Sequence, residues 1–192
     1  KAQKEAGKDV PFNMQYEAML PVIEKKMPLK CHVHRSDDIL SAIRIAKEFD
    51  LDITLDHVTD GAVIADLIKE SGYPCIVGPS LTHKSKYELK AKSFKTPKVI
   101  HDAGILFSIT TDSPVVPQEY LPLCAALACK EGLSEEACIE AITLSPARIL
   151  KIDERVGSIK VGKDADLILC TSSLIDTLNE IKAVYINGQK VA

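Results

Sequence analysis

Tryptophan is absent from this 192-residue chain, and other aromatics are scarce, with five tyrosines and four phenylalanines. Aliphatic side chains must therefore build the core. No apolar run approaches the ~20 residues needed to span a bilayer, and no secretory pattern opens the chain. Strong charge of one sign is missing too. A net charge of −3, with basic residues scattered, gives no electrostatic case for nucleic acid. Lys84 to Lys98 is locally basic, but its only aromatics are Tyr87 and Phe94. It reads as a solvated loop and helix face. No G-x-S-x-G or Cys–His pattern points to a nucleophile, and Gly78-Pro79 and Gly104 read as turns without a phosphate-cradling loop. Cys31, Cys75, Cys124, Cys129, Cys138 and Cys170 form no C-x-x-C pair and sit in apolar segments. They read as reduced, buried hydrophobes of a cytoplasmic protein.

What is present is an ordinary globular composition, 46% apolar and 27% charged, long enough for one core or one domain with an appendage. Lys1 to Asp9 is polar and reads as a flexible lead-in. A helical region follows to about Lys26, opened by Pro11 and Asn13, with Met14, Ala18, Met19, Val22 and Ile23 on one face and Pro21 inside it. Pro28 stops it. Strands are expected over 29–34, 51–55, 74–79 and 105–109. Helices between them are expected over 39–49 (capped by Ser36 or Asp37), 62–71 (ended by Gly72) and 97–103 (ended by Gly104). Apolar strands alternating with helices imply a parallel sheet covered on both faces. Three helices are expected next, over 119–130, 134–143 and 146–150. Then come β segments at 158–162, 165–170 and 181–186, an Asn187-Gly188 hairpin turn, and Lys190-Val191.

The chain is organised around Leu29-Lys30-Cys31-His32-Val33-His34-Arg35-Ser36. In a strand, residues two apart share a face, so Lys30, His32 and His34 point one way and Cys31 and Val33 the other. Two later strand ends repeat the layout, Thr54-Leu55-Asp56-His57 and Ile109-Thr110-Thr111-Asp112. Strand ends carrying His, His and Asp suggest a metal site at the rim of a parallel β/α barrel. Asp56 is one residue out of phase with His57 and is expected to cap or pair. A lone histidine at a strand end is more often a hydrogen-bonded structural group than a ligand. His83, in a polar loop, reads first as a solvated side chain that could reach substrate. His101 falls on a helix surface, and Ser113-Pro114 shapes an exit loop.

Taken together, these residues resemble the C-terminal half of a metal-dependent amidohydrolase of the imidazolonepropionase-like group. The resemblance is carried by Lys30-Cys31-His32-Val33-His34-Arg35-Ser36-Asp37-Asp38-Ile39, Asp56-His57 and Thr111-Asp112-Ser113-Pro114-Val115. Ser145-Pro146-Ala147, Gly157 to Leu167 and Ile186-Asn187-Gly188 complete it. It implies strands five to eight of a (β/α)8 TIM-type barrel, plus the C-terminal part of a small β-sandwich. The implied layout is a lead-in over 1–26, the half-barrel over 27–150 and the sandwich portion over 151–192. His32 would be the fifth-strand metal ligand. His57 would be a second ligand or a substrate-polarising group. Asp112 would be ligand and general base, and His34 and His83 would face substrate. The family's first-strand His-x-His and its fourth-strand bridging residue have no counterpart here. The chain opens on Lys1 and is expected to lie inside a longer natural sequence, as a truncated product, a proteolytic remnant or a split gene.

The chemistry suits these residue types. A divalent metal, zinc above all for imidazole and carboxylate donors, lowers the pKa of its water from about 15.7 to about 7 and polarises a carbonyl. Asp112 would take the water's proton and pass it to the leaving nitrogen, and His57 would steady the oxyanion. The implied reaction is hydrolysis of a C–N bond in a small-molecule cyclic amide or a dipeptide-like amide. A deaminase of the same superfamily, or an inactive half-barrel serving only assembly, are the rivals. A half-barrel leaves its first and last strands as open edges, which associate readily. A homo-oligomer, or docking of the missing N-terminal half, is expected. Light scattering tests the first: a mass of twice 21.0 kDa or more supports it, and a monodisperse monomer overturns it.

Overall fold

The structure, a computed structural model, describes residues 1–192. Its first feature after a four-residue helix α1 (Ala2–Glu5) is α2 (Met14–Ile23). The Asn13 side chain caps α2 by accepting from the Gln15 and Tyr16 N–H groups. Of the apolar face expected here, only Val22 is buried. Met14, Met19 and Ile23 remain exposed, and Met19 and Ile23 share an open groove with Lys1, Lys4 and Val10.

Four strands then pair in parallel in the order β1 (Leu29–Val33), β2 (Ile53–His57), β3 (Cys75–Val77), β4 (Phe107–Ile109). Helices α3 (Ser36–Glu48), α4 (Ala65–Ser71) and α5 (Thr96–Asp102) connect them. This is the βα alternation that the sequence pattern requires. All five residues of β2 are buried, and so are the three of β4. On α3, Ile39, Ile43 and Ala46 form the buried stripe. Leu55, Ile39, Ile53, Ile68 and Ile100 are the centre of a mainly aliphatic core that also takes in Phe107 of β4. β1 is different: Lys30 and His32 lie exposed on one of its faces.

Two helix boundaries are informative. Gly72 ends α4 in the left-handed conformation (φ +76°), as a glycine there predicts. The start of α3 is not capped by its own residues. Asp60, just past the end of β2, accepts from both the backbone N–H (3.1 Å) and the hydroxyl (3.3 Å) of Ser36. Asp37 instead takes a two-pronged hydrogen bond from Arg35, which holds its carboxyl below the ordinary carboxylate range.

After β4 come α6 (Leu121–Lys130), α7 (Glu135–Ile142) and α8 (Leu144–Ile149). The Ser134 hydroxyl caps α7 through the Ala137 N–H. An antiparallel sheet closes the chain in the order β5 (Leu167–Cys170), β6 (Ile181–Ile186), β7 (Gln189–Lys190). Asn187 and Gly188 turn between the last two with φ of +50° and +76°, the hairpin turn that Asn-Gly encodes. The strand expected over 158–162 does not form. Ile159 and Val161 point into solvent, since no strand of this chain lies alongside to supply a ladder. No helix is long and apolar enough to cross a membrane, and all six cysteines are free.

Leu55, wholly enclosed between sheet and helices, sets the stability expectation. Leu55→Ala should lower the unfolding free energy by about 2–5 kcal/mol, seen as a lower urea midpoint at unchanged slope. Leu40→Ala on the outer side of α3 should stay within about 0.5 kcal/mol of wild type.

Candidate metal centre

Pairing of β1 with β2 sets His32 opposite Asp56 and Val33 opposite His57. Partners across a parallel ladder share a face, so His32 and Asp56 look the same way. Asp56 pairs, as expected. It accepts from Thr54 Oγ1 at 2.7 Å and meets Lys30 Nζ at 2.7 Å. By alternation alone, His57 belongs to the opposite face from His32. It reaches His32 because the backbone turns left-handed at the strand exit, with φ +75° at His57 and +48° at Val58. Residues held there cost about 1–3 kcal/mol each and concentrate at functional sites.

The result is a cluster of three imidazoles, His32, His34 and His57. Their rings lie 4.3 to 4.8 Å apart between centroids. His57 Nε2 is 2.9 Å from His32 Nδ1. His57 Nδ1 is 2.7 Å from the Gly78 carbonyl oxygen. A carbonyl only accepts, so His57 Nδ1 carries a proton, and a ring protonated there alone offers its Nε2 lone pair. His34 Nδ1 lies 2.8 Å from the Thr59 hydroxyl. His34 is buried, and that burial first, with the neighbouring His57 and His32 second, pushes its pKa down to about 4. It is neutral at physiological pH, the form that binds metal.

Those donors fit a metal ion. One ligand atom from each ring lies within 4.8 Å of the others. Two nitrogens on one tetrahedral zinc stand about 3.3 Å apart, within the observed 2.9–4.8 Å spread. Polar partners of the kind that orient ligating histidines are in place, the Gly78 carbonyl on His57 and the Thr59 hydroxyl on His34.

The remaining sequence candidates are not in this cluster. Asp112 follows β4, is exposed, and holds φ +52°, with its N–H donated to the Thr110 hydroxyl at 3.0 Å. His83 is exposed in the loop after β3, where its backbone carbonyl accepts from Lys92 Nζ. His101 is exposed on α5. The resemblance assigns His34 to substrate, and in the structure its ring lies within 4.8 Å of those of His32 and His57. The signal was the His-x-His spacing on one strand face. The supporting groups Thr59 and Gly78 gave no sequence signal.

Comparison with known proteins shows the family. The description "Amidohydrolase family" matches residues 10–191. The chain belongs to the amidohydrolase family. A solved amidohydrolase from Thermotoga maritima MSB8 is 36% identical and superposes with a TM-score of 0.94, over 100% of this chain and 50% of that one. An imidazolonepropionase from Streptococcus pyogenes serotype M3 is 26% identical over 180 residues, 86% of this chain and 41% of its own length. An adenosine deaminase from Xanthomonas campestris with bound zinc shares the fold, with a TM-score of 0.63 at 22% identity, over 90% of this chain and 47% of that one. The amidohydrolase chain thus spans half or less of the length of these relatives.

His34 gives the centre a pH signature. Its folded pKa of about 4 lies below the ordinary 6.5, so the unfolded chain binds its proton first as pH falls. The stability it contributes is full above pH 6.5 and is lost progressively down to about pH 4. The difference between wild type and His34→Gln, taken from urea unfolding across that window, should change by at most about 3 kcal/mol. A difference independent of pH would refute a buried neutral His34.

Proposed function

We propose that this chain forms part of a metal-dependent hydrolase of C–N bonds, acting on a cyclic amide or a dipeptide-like amide. One observation carries the reading: three imidazole donors meet at the C-terminal ends of adjacent parallel strands, the end at which β/α barrels do their chemistry. In this reading β1 to β4 are strands five to eight of a (β/α)8 barrel, spanning 27–150. The segment 1–26 leads in, and β5 to β7 belong to a small sandwich over 151–192. The six free cysteines suit a reducing, cytoplasmic setting.

His32 and His57 would hold the ion, with His34 as a third donor, and zinc suits such a set. Such an ion supplies hydroxide from water near neutral pH and positive charge for a developing oxyanion. His57, with Nδ1 committed to Gly78, serves better as a ligand than as a proton donor, which would need a second ring proton. Asp112 would take the proton released by water at its carboxylate and return it to the leaving nitrogen. Lys30, held by Asp56, keeps a fixed charge on the face that carries His32. A cleft of about 460 Å³ opens beside Lys30, lined also by Ile76, Ser108, Pro146 and Ile149; none of the three histidines lines it. His83 would contact substrate from the loop after β3.

A second reading has a specific observation behind it. Asp112 stands outside the histidine cluster, which favours a chain that holds ligands but turns nothing over until another half, or a second copy, completes the barrel. A deaminase of the same fold is the third, and ammonia release without ring or chain cleavage would identify it.

Elemental analysis of the purified chain comes first. Near-stoichiometric zinc in wild type, lost in His32→Ala, supports the metal reading. Absence of metal from both overturns it for this chain. Against a panel of cyclic and dipeptide amides, Asp112→Asn should keep the metal and lose about 10²–10⁴-fold in rate.

A further inference from the structure

Three successive strand exits share one oddity. His57 at the end of β2, Gly78 after β3 and Asp112 after β4 all hold positive φ, at +75°, +128° and +52°. His57 and Asp112 are proposed members of the site, but Gly78 has no side chain to offer. Its backbone nonetheless brackets His57. The Gly78 N–H donates to the His57 carbonyl (3.4 Å), and the Gly78 carbonyl accepts from the His57 ring (2.7 Å).

What brings Gly78 there is an approach that only glycine allows. A Cβ at this position would overlap the Thr110 carbonyl oxygen and would lie 3.4 Å from Thr110 Cγ2. Thr110 is drawn in by its own N–H, which donates to the Val77 carbonyl at 2.9 Å. The Thr110 hydroxyl in turn accepts from the Asp112 N–H. One backbone pinch therefore touches His57 on one side and Asp112 on the other.

We propose that Gly78 is a positioning residue of the histidine centre. Its missing Cβ lets the β3 and β4 exits close together. That closure puts the Gly78 carbonyl on His57 Nδ1 and leaves the Nε2 lone pair facing His32. The inference goes beyond the hydrolase reading and depends on it only for the zinc measurement below.

The test has two readouts. Imidazole ¹⁵N NMR of the chelator-treated chain at pH 7.5, with the His57 signal assigned by its loss in His57→Gln, should show a neutral ring protonated at Nδ1. Protonation at Nε2 in wild type would overturn the proposal whatever the variants do. Titration with Zn²⁺ alone should show Gly78→Ala weakened about 10–100-fold, with the Nδ1–H signature lost. Gly72→Ala is the control. It also places an alanine at positive φ (+76°, against +128° at Gly78), but nothing lies within 4 Å of its added Cβ. It should lose stability yet keep both the signature and wild-type zinc affinity. Gly78→Ala that retains the signature and binds zinc within twofold of wild type would sink the idea. If wild type binds no zinc, the metal reading fails while the NMR arm still decides the role of Gly78.

Discussion

The histidine centre depends on the parallel register of β1 and β2. Five residue pairs, from Leu29 with Ile53 to Val33 with His57, bring the two strand exits level. A slip of one residue would turn His32 away from Asp56 and carry both imidazoles out of reach. The register is held by burial. All of β2 is enclosed, and Ile53 and Leu55 sit at the centre of an aliphatic core. In this protein the hydrophobic effect holds the geometry of the histidine cluster indirectly, through the packing of a central strand.

On that frame, the strand exits carry local strain. His57, Val58 and Asp112 occupy left-handed backbone that non-glycine residues avoid. Side chains of this kind tolerate the conformation only where neighbours over-determine it. The neighbours here are identifiable: the Val33 carbonyl accepts from the Val58 N–H, the His34 carbonyl from the Asp60 N–H, and the Gly78 carbonyl from the His57 ring. Asp60 then reaches back to the start of α3. The exits of β1, β2 and β3 form one hydrogen-bonded unit, and this gives three separate chain segments a common geometry.

The other face of the sheet problem is exposure. Lys30 and His32 lie open on β1, and Ile159 and Val161 stand in solvent where a strand was expected. The same chain superposes closely on half of a Thermotoga maritima amidohydrolase. No other element of this chain covers Ile159 and Val161.

The sequence by itself determined the periodic elements and the residue types of the centre. Alternation in Leu29–Val33, the apolar stripe Ile39, Ile43 and Ala46, Asn13 and Ser134 as caps, Gly72 as a stop and Asn187-Gly188 as a turn are local signals. Their physics acts within a few residues, so they can be read in order. The strand-end placement of His32, His57 and Asp112 is local in the same sense. Tertiary structure decided which of them meet. His57 crosses to the face of His32 only through its left-handed exit, His34 joins as a third imidazole, and Asp112 stays apart. Capping of α3 by Asp60 and orientation of His57 by Gly78 join residues more than twenty positions apart. Such contacts arise from strand register and close backbone approach, which no local pattern encodes.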